Sequence, residues 1–173
     1  MRAAAAERVL FSQTEIHARV ENLAHTIAAL PERPAVAAPV LTGAFVFAAD
    51  LLRALARHGL DLATDFLWLR AYGGAQVPGD VSVLRAPSDA VRGRHVLLID
   101  GVLDSGATLA CAKLLLTEAG AAKITTIVAV TKKHGTRALE AEYTAFRAGE
   151  DFLYGYGMDR DGVGRGLPDI RVR

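Results

Sequence analysis

The stretch Leu97 to Leu109, LLIDGVLDSGATL, holds the densest set of side chains able to do chemistry: an apolar run feeds Asp100, Gly101, Asp104, Ser105, Gly106 and Thr108. A strand that breaks at a glycine-bearing turn and restarts as a helix aims unpaired backbone N–H groups past its end, an arrangement that commonly binds phosphate. Gly101, Gly106, Ala107 and Thr108 stand at the spacing of a nucleoside-triphosphate loop, G-x-x-x-x-G-K-[ST], but Ala107 occupies the lysine position. That loop uses its lysine to reach the terminal phosphates, and a carboxylate at Asp104 inside the cradle would repel them. The carboxylates therefore carry more of the signal than the glycine spacing. A plainer reading also stands: a strand-to-helix turn in which Asp104 or Ser105 caps the helix.

The elements that must position this turn are legible from periodicity. Ser12 and Glu15 form a capping box, and Ile16, Val20, Leu23, Ile27 and Leu30 recur at helical spacing until Pro31. Ala35 to Leu41 reads as a buried strand, Thr42-Gly43 as a turn, and Ala44 to His58 as a helix closed by Gly59. Phe66 to Ala71 predicts a strand, Tyr72 to Asp80 (YGGAQVPGD) an exposed loop, and Val81 to Leu84 the returning strand. Val96 to Ile99 is the most apolar strand, the helix after the turn runs to Ala119 before Gly120, and Ile124 to Val130 suits a strand covered on both faces. Beyond Tyr143 the pattern shortens, and Gly162, Gly164 and Gly166 read as turn chemistry, since no helix follows them. Strands alternating with helices predict an α/β fold, an open and mainly parallel sheet flanked by helices, with residues 1–173 forming one domain.

Bulk composition excludes several classes. With 51% hydrophobic and 23% charged residues the chain has the balance of a soluble globular protein. A net charge of +1, with no basic stripe longer than Arg92, Arg94 and His95, argues against a nucleic-acid partner. Cys111 is the only cysteine, which rules out an internal disulfide and a cysteine-based zinc site and fits a reducing cytoplasm. Met1 to Val9 is too short in its apolar run, and too soon interrupted by Glu7, to read as a signal peptide. No run approaches the roughly 20 apolar residues of a membrane span. None of the five histidines matches a motif position.

The opening stretch resembles the phosphoribosyl pyrophosphate (PRPP) signature of the type I phosphoribosyltransferases: an apolar strand, two acidic residues, two apolar residues, Asp, Ser or Thr, Gly, one variable residue, Thr. Ala107 falls on the variable position, and Gly101 departs from the pattern where the family usually has a second carboxylate. From Ala38 to the C-terminus the chain is similar to the hypoxanthine-guanine group of that family. LTGAFVFAADL resembles its first loop, which implies a non-proline cis peptide at Leu41-Thr42 and backbone amides of Thr42 and Gly43 turned to pyrophosphate; the group often has a basic residue where this chain has Thr42. AYGGAQVPGD resembles the loop that closes over the site, with Tyr72 in its usual place. VTKKHGTR resembles the segment with the purine-recognising lysine, Lys133 aligning best and Lys132 the alternative. EDFLYGYGMD followed by Arg165 resembles the C-terminal pattern, which implies Phe152 stacking on the purine, Leu153 offering it backbone bonds, Asp159 with Asp100 holding magnesium, and Arg165 meeting pyrophosphate.

The resemblance implies the type I phosphoribosyltransferase fold with a small hood built from the chain ends, Mg²⁺ as cofactor, PRPP and a purine base as substrates, and a homodimer or homotetramer. It implies displacement of pyrophosphate by hypoxanthine or guanine, with Asp104 taking the purine's proton and Ser105, Gly106, Ala107 and Thr108 holding the 5'-phosphate. At Gly101 one charged hydrogen bond to ribose is lost, worth about 1.5 to 3 kcal/mol or about ten- to a hundredfold in affinity; restoring it by Gly101→Asp is expected to tighten PRPP. Two alternatives remain: a non-catalytic nucleotide- or PRPP-binding regulatory relative, and a phosphoribosyltransferase for another base.

Overall fold

The computed structural model describes residues 7–71, 80–133 and 137–173. Helix α1 (Gln13–Ala28) starts at the expected box: the Glu15 N–H donates to Ser12 Oγ at 3.3 Å and the Ser12 N–H donates to Glu15 Oε2 at 2.8 Å. Its stripe Ile16, Val20, Leu23 and Ile27 is buried beside Phe47, Leu51 and Leu55 of α2 (Phe45–Arg57), and the two helices share one face of the sheet. Helix α3 (Ala107–Glu118) covers the opposite face with Leu109, Ala112 and Leu116. It begins at Gly106 with φ +81°, and Ser105 Oγ accepts the N–H of its first residue, Ala107, at 3.3 Å, so the capping reading of Ser105 stands beside the phosphate-binding one.

Between these layers lie β2 (Val36–Leu41), β4 (Leu67–Ala71), β6 (His95–Leu103), β7 (Lys123–Lys132) and β8 (Tyr143–Ala148), all parallel, in the order β4-β2-β6-β7-β8. Strand β5 (Val81–Arg85) adds an antiparallel edge beyond β4, and the short β3 (Ala63–Thr64) pairs with β2. Alternation sorts the core: Leu97 and Ile99 of β6 face α1 and α2, while Val96 and Leu98 face α3. A separate antiparallel sheet, β1 (Arg8–Phe11), β10 (Ile170–Val172) and β9 (Leu153–Tyr154), brings the two ends of the chain together as a hood.

Three elements differ from the expectation. Strand β6 does not stop at Ile99 but runs on to Leu103, because its ladder with β7 continues through Asp100↔Val128, Val102↔Val130 and Leu103↔Thr131. Strand β8 lies where the sequence pattern shortens; it is the sheet's edge, with Thr144 and Arg147 relieving the need for a continuous apolar run. Strand β1 is only four residues and draws its stability from β10, a partner at the far end of the sequence. The turn reading of Gly162 and Gly164 agrees with their φ of +85° and +90°.

The residue that departs from the family pattern has a packing reason. A Cβ at Gly101 would stand 2.7 Å from the Gly43 carbonyl oxygen, and one at Gly157, where φ is +96°, would stand 2.7 Å from the same atom. The first loop, which contains the cis peptide Leu41-Thr42, thus rests its carbonyl in a notch between β6 and the turn at Gly157. A side chain at position 101 must push that loop away, which reverses the expectation for Gly101→Asp. We expect Gly101→Ala and Gly101→Asp each to lower folding stability by about 1 to 3 kcal/mol, as overpacking does, read from denaturant midpoints, and Gly101→Asp not to tighten PRPP in calorimetry.

Candidate active site

Parallel strands place their carboxyl ends on one rim, and the loops there face a common crevice. Here the rim carries a cleft of about 570 Å³. Thr42 and Gly43 line it from the end of β2, Trp68 and Arg70 from β4, Asp100 and Asp104 from β6, Thr108 from α3 and Lys132 from β7. Phe152, Leu153, Asp159 and Arg165 close it from the hood side. Segments as far apart as Thr42 and Arg165 therefore converge on one space, and its charged side chains balance: Asp100, Asp104 and Asp159 against Arg70, Lys132 and Arg165.

Each group is held differently. Asp104 follows the end of β6 with its side chain half-exposed, and Lys132 Nζ lies 3.4 Å from its Oδ2. Ser105 accepts the Ala107 N–H at its Oγ, 3.3 Å, and with Gly106 and Ala107 completes the turn leading to Thr108. The first N–H groups of α3 have no carbonyl within their own helix, so this end carries a partial positive charge suited to an anion. Arg165 donates from Nη1 to the Gly157 carbonyl at 2.7 Å and pairs through Nη2 with Asp159 Oδ1 at 2.6 Å; Asp159 Oδ2 accepts the Gly162 N–H at 2.8 Å. Phe152 turns an open ring toward the cleft, 52% exposed, whereas the adjacent Leu153 is buried in the hood ladder.

The two lysines differ in position. Lys132, the alternative in the sequence, is the one in the cleft wall, with a side chain only 14% exposed. Lys133, which aligned best, comes after the last residue of β7; it is exposed and its backbone N–H donates to the Ala148 carbonyl at 2.8 Å. Tyr72 lies outside the described residues. Trp68 and Arg70 were not singled out from the sequence; the signal was their alternation with the buried Leu67 and Leu69, which puts both on one face.

Asp100 is the most perturbed carboxylate of the cleft. Burial among the strand ends pushes its pKa up to about 7, opposed by the hydrogen bond its Oδ1 accepts from the Gly101 N–H at 2.7 Å. A carboxyl whose folded-state pKa lies above its unfolded one holds its proton more tightly when folded. Stability therefore falls as pH rises from about 4 to about 7 and stays at the lower level beyond, a cost on the order of 4 kcal/mol from this one group. Asp100→Asn removes that dependence: its thermal midpoint should match the parent's near pH 4 and exceed it increasingly up to about pH 7, followed by calorimetry without ligand.

The site geometry has counterparts. Residues 12–158 match the family described as phosphoribosyl transferase domain. The hypoxanthine-guanine phosphoribosyltransferase of Aquifex aeolicus is 31% identical over 94% of this chain and 92% of its own length, and that of Bacillus subtilis is 32% identical over 96% and 92%. Among solved structures, a hypoxanthine phosphoribosyl transferase of Trypanosoma cruzi superposes with a TM-score of 0.88 at 31% identity, covering 99% of this chain and 93% of that one. The enzyme of the same organism in complex with the product IMP gives 0.85 at 30% identity, over 99% and 96%. With a turn that resembles the PRPP signature at the end of β6, a hood over the sheet rim and a family match over most of its length, this chain belongs to the phosphoribosyltransferase family.

Proposed function

We propose that the chain is a purine salvage phosphoribosyltransferase, moving the 5'-phosphoribosyl group of PRPP onto hypoxanthine and/or guanine and releasing pyrophosphate. The observation that carries this reading is the convergence of Asp100, Asp104, Thr108, Lys132, Phe152, Asp159 and Arg165 on one cleft. A purine ring nitrogen forms the new bond to the anomeric carbon, the bond to pyrophosphate breaks with its electron pair leaving on oxygen, and the ring proton passes to the Asp104 carboxylate. Phe152 stacks on the base, the Leu153 backbone borders its edge, and Lys132 suits an exocyclic oxygen. The turn Ser105, Gly106, Ala107 and Thr108 takes the 5'-phosphate, while the amides of Thr42 and Gly43 and the Arg165 guanidinium take pyrophosphate. Asp100 accepts from a ribose hydroxyl.

Among the described residues no group of three or more His, Cys, Asp or Glu side chains is placed to hold a metal ion. A resident cage is thus not what the residues fit. Asp100 and Asp159 suit the other manner of binding magnesium, in which one or two carboxylates complete a shell made by phosphate oxygens and water. Bound in that way, Mg²⁺ neutralises charge on the departing pyrophosphate. Asp159 would exchange its contact with Arg165 for this role as Arg165 turns to the phosphates.

Residues 1–173 act in this reading as one transferase domain, assembled as a homodimer or homotetramer and working in the cytoplasm; no helix among the described residues is long and apolar enough to cross a membrane. Incubation with magnesium, PRPP and each of hypoxanthine, guanine, xanthine and adenine should yield nucleotide and pyrophosphate with hypoxanthine or guanine. No turnover with any base, beside calorimetric nucleotide binding, would replace the enzyme with a binding relative. Asp104→Asn should lower kcat by roughly a hundred- to ten-thousandfold with PRPP and nucleotide affinity retained; parallel loss of both would make Asp104 a structural residue.

A further inference from the structure

Arg137 ends the segment VTKKHGTR, five residues after Lys132, and it touches both halves of the chemistry. Its side chain is 10% exposed. The guanidinium donates from Nε to the main-chain carbonyl of Asp104 at 3.0 Å, from Nη2 to the main-chain carbonyl of Lys132, and from Nη1 to Glu140 Oε1 at 2.7 Å. Asp104 and Lys132 are the residues whose side chains meet in the cleft, so a single side chain grips the backbones of both members of that pair. The residues after Arg137 add to the grip: the Ala138 N–H donates to the Ser105 carbonyl at 2.8 Å, and a Cβ at Gly106 would stand 2.7 Å from the Leu139 carbonyl oxygen.

We propose that Arg137 is a positioning residue that fixes the distance between the proton acceptor Asp104 and Lys132; this rests on the transferase reading above. The two residues lie on successive crossovers, one at the end of β6 and the other at the end of β7, and among the described residues the ladder between the strands ends at Leu103↔Thr131. Beyond that point something else must keep the two loop ends together. A guanidinium suits the task because its donors are coplanar and fixed in direction, so two carbonyls can be held at once, and because it stays protonated across the working pH range. An ammonium offers no such fork. Arg137 itself need touch neither base nor PRPP.

The test is Arg137→Lys, which keeps the charge and removes the fork, beside Glu140→Gln, which breaks only the outward ion pair. We expect Arg137→Lys to lower kcat by roughly 10- to 100-fold, the scale of loss caused by a misplacement of about 1 Å, while the KM for PRPP and the thermal midpoint stay near the parent's. Backbone amide exchange over residues 104–108 should quicken in Arg137→Lys, whereas Glu140→Gln should match the parent in both rate and exchange. Parent-like kcat and exchange in Arg137→Lys overturn the proposal. So does an equal loss of kcat in both variants with a lowered thermal midpoint, which would make the cluster a stability element. A parent with no turnover removes the transferase reading instead, and the exchange measurement then decides the proposal by itself.

Discussion

The Gly43 carbonyl in its notch is the contact on which the rest of the rim depends. The oxygen sits so close to Gly101 and Gly157 that neither position tolerates a Cβ, and by that contact the loop after β2, the end of β6 and the turn after β9 are set against one another. These three segments carry the groups proposed for pyrophosphate, ribose and metal. Close packing of backbone on backbone fixes their relative height more firmly than flexible side chains could, because protein interiors resist even small changes of volume. The absence of a side chain at position 101 goes with that seating, since a Cβ there would stand 2.7 Å from the Gly43 carbonyl oxygen.

Charge in the cleft follows from the same economy of space. Asp100 is buried on the strand ladder, where it accepts the Gly101 N–H, and its acidic form persists to about pH 7. Asp104, just past the end of β6, stands beside Lys132. Two carboxylates four positions apart thus differ in burial, Asp100 being 8% exposed and the Asp104 side chain 53%. Arg165 and Asp159 hold each other at 2.6 Å, which keeps a cation and an anion in place without leaving either bare at the rim.

Much of this was legible in the chain. The buried strand through Ile99, the capped first helix and the order Asp100, Asp104, Phe152, Asp159, Arg165 followed from periodicity and from family resemblance. Other features lacked a local signal. A lysine doublet at a strand end cannot say which member faces the cleft, since a shift of one residue exchanges the two faces; only the position of β7 against β6 picks Lys132. Strand β1 exists through pairing with residues at the far end of the sequence, Arg8 with Val172 among them, and no window of sequence contains both. Gly101 read as a loss because the carbonyl that forbids its side chain arrives from the loop at Gly43.

Trp68 gives the cleft an optical property. It is the chain's single tryptophan, it stands on the cleft wall and it is 43% exposed to solvent. All indole emission from this protein therefore originates at the rim where the phosphates and the base are proposed to enter, so quenching or a wavelength shift on adding a ligand reports a change in that cleft, without a label and without background from elsewhere in the fold.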